Sequence, residues 1–233
     1  MEATHSLSVI ELLAGLPAPE LNALEARCHW RDYKARQTIC EKDDDSADLL
    51  FVVKGKVSIT SYSITGKEIA FNEVETGGYF GELAMIDGRP RSATVSAASA
   101  CRIAALPAAE VRQMIARHPD LAWAMLEKLA RVIRATNERL VDFATLSAQQ
   151  RVVAELLRLS RPDPGNLRIL SIYPLPTQAT LASRIGATRE TVARVLSELT
   201  RGGLIHRHGR ILYIDRPDRL KELKDRLGQP TDA

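Results

Sequence analysis

The chain has 233 residues, of which 45% are hydrophobic and 26% charged; that length favours two domains, and that balance excludes disordered, collagen-like and fibrous chains. No run approaches the roughly 18 uncharged apolar residues of a membrane span, and the opening Met1-Glu2-Ala3-Thr4-His5 lacks the basic and apolar regions of a signal peptide. A soluble, cytoplasmic protein with no membrane partner is expected. The net charge of +3 is unevenly spread: residues 1–145 carry 17 Lys and Arg against 20 Asp and Glu, whereas residues 146–233 carry 15 against 9. A basic C-terminal part on a slightly acidic body points to a polyanion partner, with nucleic acid first.

Residues 7–28 read as two short helices built on Leu7, Ile10, Leu12, Leu13, Leu16, Leu21 and Leu24, interrupted by Pro17 and Pro19. From about Trp30 to Leu106, short β-rich runs follow one another, and glycines recur at 55, 66, 77 and 88. Regular turn signals between short strands predict an antiparallel β-roll, or jelly roll. Pro107 opens a helical stretch, with a short helix over 108–117 and a long one from Pro119 to about Phe143. Along the long helix Met125, Leu129, Val132, Thr136, Leu140 and Phe143 are three or four residues apart. That spacing predicts a seam for helix pairing in a homodimer.

Phe143 to Ser147 reads as a hinge, with Ser147 capping a helix that runs through Leu159. Arg161 to Asn166, with Pro162, Pro164 and Gly165, reads as a loop. Two helices follow at about 177–185 and 189–200, separated by Gly186 and Ala187, with Thr177 and Thr188 as caps. Leu204-Ile205 and Ile211 to Ile214 then flank His206-Arg207-His208-Gly209-Arg210 as a β-hairpin. The expected fold class is α+β: an N-terminal β-roll with a long dimerisation helix over 1–145, and a winged helix-turn-helix over 146–233.

Two strings carry chemistry. The first is Phe80-Gly81-Glu82-Leu83-Ala84 followed by Arg91-Ser92-Ala93-Thr94-Val95. Gly81 allows backbone amides to approach an anion, Arg91 can fork two hydrogen bonds onto a phosphate, and the Ser92 hydroxyl adds a donor. Glu82 beside a phosphate makes sense when a ribose hydroxyl lies between them; a plain Glu82–Arg91 salt bridge is the alternative. The second string is Thr188-Arg189-Glu190-Thr191-Val192-Ala193-Arg194. Its helical period puts Val192, Val195, Leu196 and Leu199 inside and Arg189, Glu190 and Arg194 outside. Arginine pairs with guanine and glutamate accepts from cytosine, so this face can read a major groove; a Glu190–Arg194 pair is the alternative.

The first string resembles the phosphate-binding cassette of cyclic-nucleotide-binding domains. With the long helix and the winged helix-turn-helix in this order, the chain resembles the cyclic-AMP receptor protein (catabolite activator) family of bacterial transcription regulators over essentially its full length. The resemblance implies a homodimer that binds cyclic nucleotide in the β-roll and a palindromic DNA operator through the C-terminal domain, with RNA polymerase as a further partner. It implies a ligand site formed by Gly81, Glu82, Leu83, Ala84, Arg91 and Ser92, with Thr136 and Asn137 touching the purine. Cyclic-AMP-specific members resemble Thr-Ser at that place, so Asn137 departs from the pattern. An amide both donates and accepts, and therefore suits adenine or guanine; the ligand is expected to be cyclic AMP, cyclic GMP or both, with no metal. For DNA, the resemblance implies base reading by Arg189, Glu190 and Arg194. Arg184, Arg201, Arg207 and Arg210 are expected as phosphate contacts or solvated charges rather than base readers, and Thr177 and Thr188, as helix caps near the backbone, are further candidates for phosphate contact.

An enzyme under cyclic-nucleotide control is disfavoured, since no Walker loop, nucleophile elbow or H-E-x-x-H string is present. A redox, iron–sulfur or haem sensor on the same scaffold is the competing reading. Cys28, Cys40 and Cys101 are scattered, however, and are expected as buried small apolar residues. His206-x-His208 is expected as a phosphate-facing turn rather than a metal site.

Overall fold

The computed structural model describes residues 6–62 and 68–226; Gly66, one of the four evenly spaced glycines, lies outside them. After a single 3-10 turn at Glu11–Leu13 come α1 (Ala18–Glu25), β1 (His29–Tyr33), β2 (Thr38–Cys40), β3 (Leu49–Lys54), β4 (Lys56–Tyr62), β5 (Glu68–Glu75), β6 (Tyr79–Phe80), α2 (Glu82–Asp87), β7 (Thr94–Ala97) and β8 (Cys101–Leu106). Helices α3 (Ala108–Arg117), α4 (Pro119–Thr145) and α5 (Ala148–Leu159) follow, then β9 (Arg161–Asp163), β10 (Asn166–Ile172), α6 (Gln178–Ile185), α7 (Arg189–Arg201), β11 (Ile205–His208), β12 (Ile211–Ile214) and α8 (Pro217–Arg226). The chain forms two compact units, residues 1–131 and 132–233, with the boundary inside α4. No helix among the described residues is long and apolar enough to cross a membrane.

The first unit is the expected β-roll, two antiparallel four-stranded sheets ordered β1-β8-β3-β6 and β2-β7-β4-β5. β3 is the apolar run Leu49-Leu50-Phe51-Val52 because both of its faces are covered. Leu49 and Phe51 pack with Leu7, Ile10, Leu13, Met114 and Met125 under the helices. Leu50 and Val52 pack between the sheets with Val57, Phe80, Val95 and Ile103. Gly55 turns β3 into β4 at φ +90°, where a Cβ would stand 2.4 Å from the Ala100 carbonyl oxygen; only glycine fits.

In the second unit α5 starts in a capping box, with Ser147 and Gln150 each bonding the other's backbone N–H. Thr177 caps α6, Gly186 ends it at φ +61°, and Thr188 caps α7. The four-stranded sheet β11-β12-β10-β9 completes the winged helix-turn-helix.

Four local expectations are corrected. Residues 161–166 form a hairpin rather than a loop: the Asp163 carboxylate accepts from Gly165 and Asn166 N–H, at 2.9 and 3.1 Å, and closes the turn. Pro162 is tolerated because β9 is the sheet's edge. Phe143 lies inside α4, so the break is at Leu146–Ser147, and the Phe143 ring packs against Gly186, whose Cβ would meet it at 2.7 Å. His206 to His208 are strand residues; His206 stacks on Tyr213 and its Nδ1 lies 2.7 Å from Asp215. On α4, Met125 is buried in its own unit, whereas Trp123, Leu126, Ala130, Ile133, Asn137 and Leu140 are exposed. Of the expected seam Met125 is therefore taken up by its own unit, while Val132, Thr136, Leu140 and Phe143 are exposed alongside a second three-and-four row that carries Asn137.

Glu155 of α5 is 1% exposed, yet its carboxyl group is ringed by arginines. Arg158 donates to it at 2.6 Å, while Arg139 of α4 and Arg184 of α6 lie 3.6 and 3.7 Å away. Arg158 also pairs with Asp142. Arg184, expected as a phosphate contact or a solvated charge, is therefore a buried structural residue: its side chain reaches inward to the Glu155 carboxylate. Burial pulls the Arg139 pKa down against the opposing pull of Glu155. Removing the carboxylate from such a cluster leaves buried like charges together. Glu155→Ala is expected to cost the second unit on the order of 3–5 kcal/mol, seen as an earlier calorimetric or far-UV circular dichroism transition. Both tryptophans, Trp30 and Trp123, belong to the first unit, so the fluorescence transition reports that unit separately.

Candidate ligand cassette and nucleic-acid interface

β6 delivers the chain to Gly81, which takes φ +85° and starts α2 at Glu82. A Cβ there would meet Arg91 Nη1 at 2.3 Å and the Asp48 carbonyl oxygen at 3.0 Å, so glycine is needed for the close approach of Arg91. The Arg91 guanidinium is fixed by three neutral acceptors: Ser46 Oγ at 2.9 Å, the Gly81 carbonyl at 3.2 Å and the Asp48 carbonyl at 2.9 Å. Arg91 is 3% exposed, and among the described residues no carboxylate forms an ion pair with it. Three of its five N–H donors are used, leaving two. A buried cation balanced by no anion is an electrostatic seat for one.

The alternative Glu82–Arg91 salt bridge does not form. Glu82, with its side chain 14% exposed, instead faces Lys128 of α4, Oε1 to Nζ 3.4 Å. Lys128 also donates to the Tyr79 carbonyl at 2.6 Å and lies 3.5 Å above the Tyr79 ring. Burial lowers the Lys128 pKa while Glu82 holds it up, and burial raises that of the Tyr79 phenol. Leu83 is exposed, Ala84 is buried on the inner side of α2, and Ser92 is exposed beside Arg91. The structure thus brings Gly81, Glu82 and Arg91 together and adds Ser46, Asp48 and Lys128, which no string in the sequence marks. Thr136 and Asn137, on the part of α4 in the second unit, are both exposed; the Thr136 hydroxyl donates to the Val132 carbonyl at 2.8 Å.

On α7, Val192, Val195 and Leu199 are buried and Arg189, Glu190 and Arg194 exposed, as the helical period demands. The Thr188 hydroxyl accepts from Thr191 N–H at 3.2 Å, and that of Thr177 accepts from Thr180 N–H at 3.1 Å. The alternative Glu190–Arg194 pair is absent, for Arg194 faces Glu198 at 3.7 Å. The Glu190 pKa is lowered by its own backbone N–H and the Thr188 hydroxyl, so the side chain is an ionised acceptor at neutral pH. Arg207 is exposed on β11 and donates to the Gly209 carbonyl at 2.9 Å.

Comparison with known proteins agrees with both halves. Residues 30–118 match the cyclic nucleotide-binding domain family, and residues 150–223 match the Crp-like helix-turn-helix domain family. The cAMP-activated global transcriptional regulator CRP of Haemophilus influenzae is 29% identical over 204 residues, covering 84% of this chain and 88% of that protein. Among solved structures, a CooA mutant from Carboxydothermus hydrogenoformans superposes with a TM-score of 0.77 at 16% identity, over 96% of this chain and 97% of that one. The c-di-GMP responsive regulator CLP of Xanthomonas campestris does so with a TM-score of 0.67 at 23% identity, over 85% of this chain and 99% of that one. At these identities the structural likeness is one of fold.

All three cysteines are free and buried. Burial, with a smaller contribution from Glu25, pushes the Cys28 thiol up to about 12; burial also raises Cys40 and Cys101. A raised pKa keeps the unreactive thiol at neutral pH, since the thiolate is the nucleophile. The folded protein is therefore expected to react slowly with a thiol-specific disulfide reagent, with no acceleration between pH 7 and about 9, where an ordinary cysteine ionises. All three thiols should react promptly in denaturant. Fast reaction of a thiol in the folded chain would contradict this.

Proposed function

Because the chain belongs to the cyclic-AMP receptor protein family of DNA-binding transcription regulators, we propose that it is a homodimer in which a cyclic nucleotide, held by the cassette around Gly81 and Arg91, governs sequence-specific DNA binding. The observation that carries this reading is the buried Arg91 with only neutral partners. A cyclic nucleotide carries one negative charge on its phosphate, and Arg91 supplies one. Ser92 adds a hydroxyl donor and Gly81 a close backbone approach, while Glu82 accepts from the ribose 2′-hydroxyl. Leu83 and Ala84 complete the turn. Thr136 and Asn137 read the purine, and the Asn137 amide accepts a hydrogen bond from the N6 amino group of adenine or donates one to O6 of guanine, so both cyclic AMP and cyclic GMP are ligands.

The exposed seam of Trp123, Leu126, Ile133 and Leu140 on α4 pairs with its copy in the dimer, and Asn137 within it fixes the register. Functionally the chain divides near residue 145 into a sensing part and a DNA-binding part, with α4 joining them. Cyclic nucleotide shifts the dimer only by its differential affinity for two helix pairings. Two copies of the α7 face then meet half-sites about one helical turn apart in a palindrome. Arg189 and Arg194 read guanines in a TGTGA-like half-site, Glu190 accepts from a cytosine, and Thr177, Thr188 and Arg207 hold phosphates.

Calorimetric titration tests the cassette. Arg91→Ala is expected to remain folded and dimeric while losing at least a hundredfold in affinity for cyclic AMP and cyclic GMP, as loss of one partner of a buried pair costs on the order of 3–5 kcal/mol. Near-normal affinity would overturn the cassette reading. If only one of the two nucleotides binds the wild-type protein, with the other inactive at millimolar concentration, the dual-ligand part falls.

Gel-shift titration at several salt concentrations tests the DNA face. Arg194→Ala should cost about 1–3 kcal/mol on the palindrome and flatten preference at its base. Arg207→Ala should weaken all duplexes alike and lower the salt slope by about one. Equal affinity for palindromic and scrambled duplexes in saturating nucleotide would refute sequence-specific regulation.

A further inference from the structure

Glu82 poses an electrostatic problem that the cassette residues do not solve among themselves. An ionised carboxylate close to Arg91 would compete with a ligand phosphate for the guanidinium and would repel that phosphate. The geometry instead holds two separate charge systems. Arg91 is surrounded by neutral acceptors and kept for an anion, while Glu82 is balanced from α4 by Lys128. The Lys128 ammonium has three donors and three close neighbours. One meets the Tyr79 carbonyl at 2.6 Å, one faces Glu82 Oε1 at 3.4 Å, and the cation lies 3.5 Å over the Tyr79 ring. Tyr79 stands three residues before Glu82, so the ammonium is anchored to the strand that leads into the cassette. At 3.4 Å the ion pair orients the carboxylate while leaving it lone pairs for a hydroxyl.

We propose that Lys128 is a specificity-determining positioning residue: it neutralises Glu82 and aims its carboxylate at the ribose 2′-hydroxyl, so that discrimination between ribose and deoxyribose depends on a side chain of the long helix. This rests on the cyclic-nucleotide reading of the cassette. It follows that the site is charge-balanced when a singly charged phosphodiester is bound, with Arg91 opposite the phosphate and Lys128 opposite Glu82. Burial lowers the Lys128 pKa while Glu82 raises it, consistent with a cation kept in a half-buried place by its partner.

The test is the ratio of dissociation constants for 2′-deoxy cyclic AMP and cyclic AMP, measured calorimetrically on the full chain. Loss of a hydrogen bond to a charged acceptor predicts a wild-type ratio of roughly ten to a hundred. Lys128→Met should bring the ratio to within about threefold of one, and Lys128→Arg, which keeps the charge, should retain most of it. In a Glu82→Gln background, Lys128→Met should change the ratio no further. A merely structural role would weaken both ligands equally and leave the ratio at its wild-type value, which would overturn the proposal. A large effect of Lys128→Met persisting with Glu82→Gln would overturn it too, because Lys128 would then act without Glu82. Trp123, on the same helix, reports folding of each variant, and Lys128→Gln replaces Lys128→Met if the latter does not fold. If the wild-type protein binds neither cyclic AMP nor cyclic GMP, the cassette reading itself falls and this inference with it. Binding with an unchanged ratio in Lys128→Met removes only the role of Lys128.

Discussion

Glu155 is shared among Arg139 of α4, Arg158 of α5 and Arg184 of α6, and the arrangement of those three helices depends on it. The turn between α4 and α5 is only Leu146 and Ser147, too short to fix an angle by itself. Arg151 donates to the carbonyls of Leu146 and Ile185, both at 2.9 Å, and stacks over Phe143. The last turns of α4 are thereby tied to the helix-turn-helix by charge, hydrogen bonding and ring packing at once.

Two buried arginines illustrate opposite uses of one side chain. Arg184 sits against a carboxylate inside the protein, and its charge is spent on architecture. Arg91 is buried to a similar degree but held only by a hydroxyl and two carbonyls. Taking a cation out of water without a counter-charge is unfavourable, and the cost is tolerable where an anion completes the site. The distinction lies in the partners, and the partners come from distant parts of the chain: Ser46 and Asp48 are more than forty residues from Arg91.

Charge separation of the same kind recurs at Glu82 and Lys128. If the carboxylate had fallen on Arg91, the cassette would be a closed salt bridge. Its displacement toward α4 keeps the guanidinium available and gives the long helix a direct hold on the β-roll cassette.

Much of this was legible in the residue string, wherever one segment decides its own conformation. Ser147, Thr177 and Thr188 cap helices because their side chains reach N–H groups three residues on. Gly55, Gly77 and Gly88 take positive φ where turns require it. The β-roll, the two-helix motif and the exposure of Arg189, Glu190 and Arg194 followed from periods of two and 3.6 residues. The β9–β10 hairpin did not, since proline argues against a strand until the strand is known to be an edge. Met125 dropped out of the expected seam on α4 because it packs under β3, a long-range contact that three-and-four spacing does not record. The inward turn of Arg184, the neutral surroundings of Arg91 and the grip of Lys128 on Glu82 were likewise decided by tertiary structure. Each joins residues far apart in sequence, and local spacing holds no record of which distant charge a folded chain will bring within 4 Å of another.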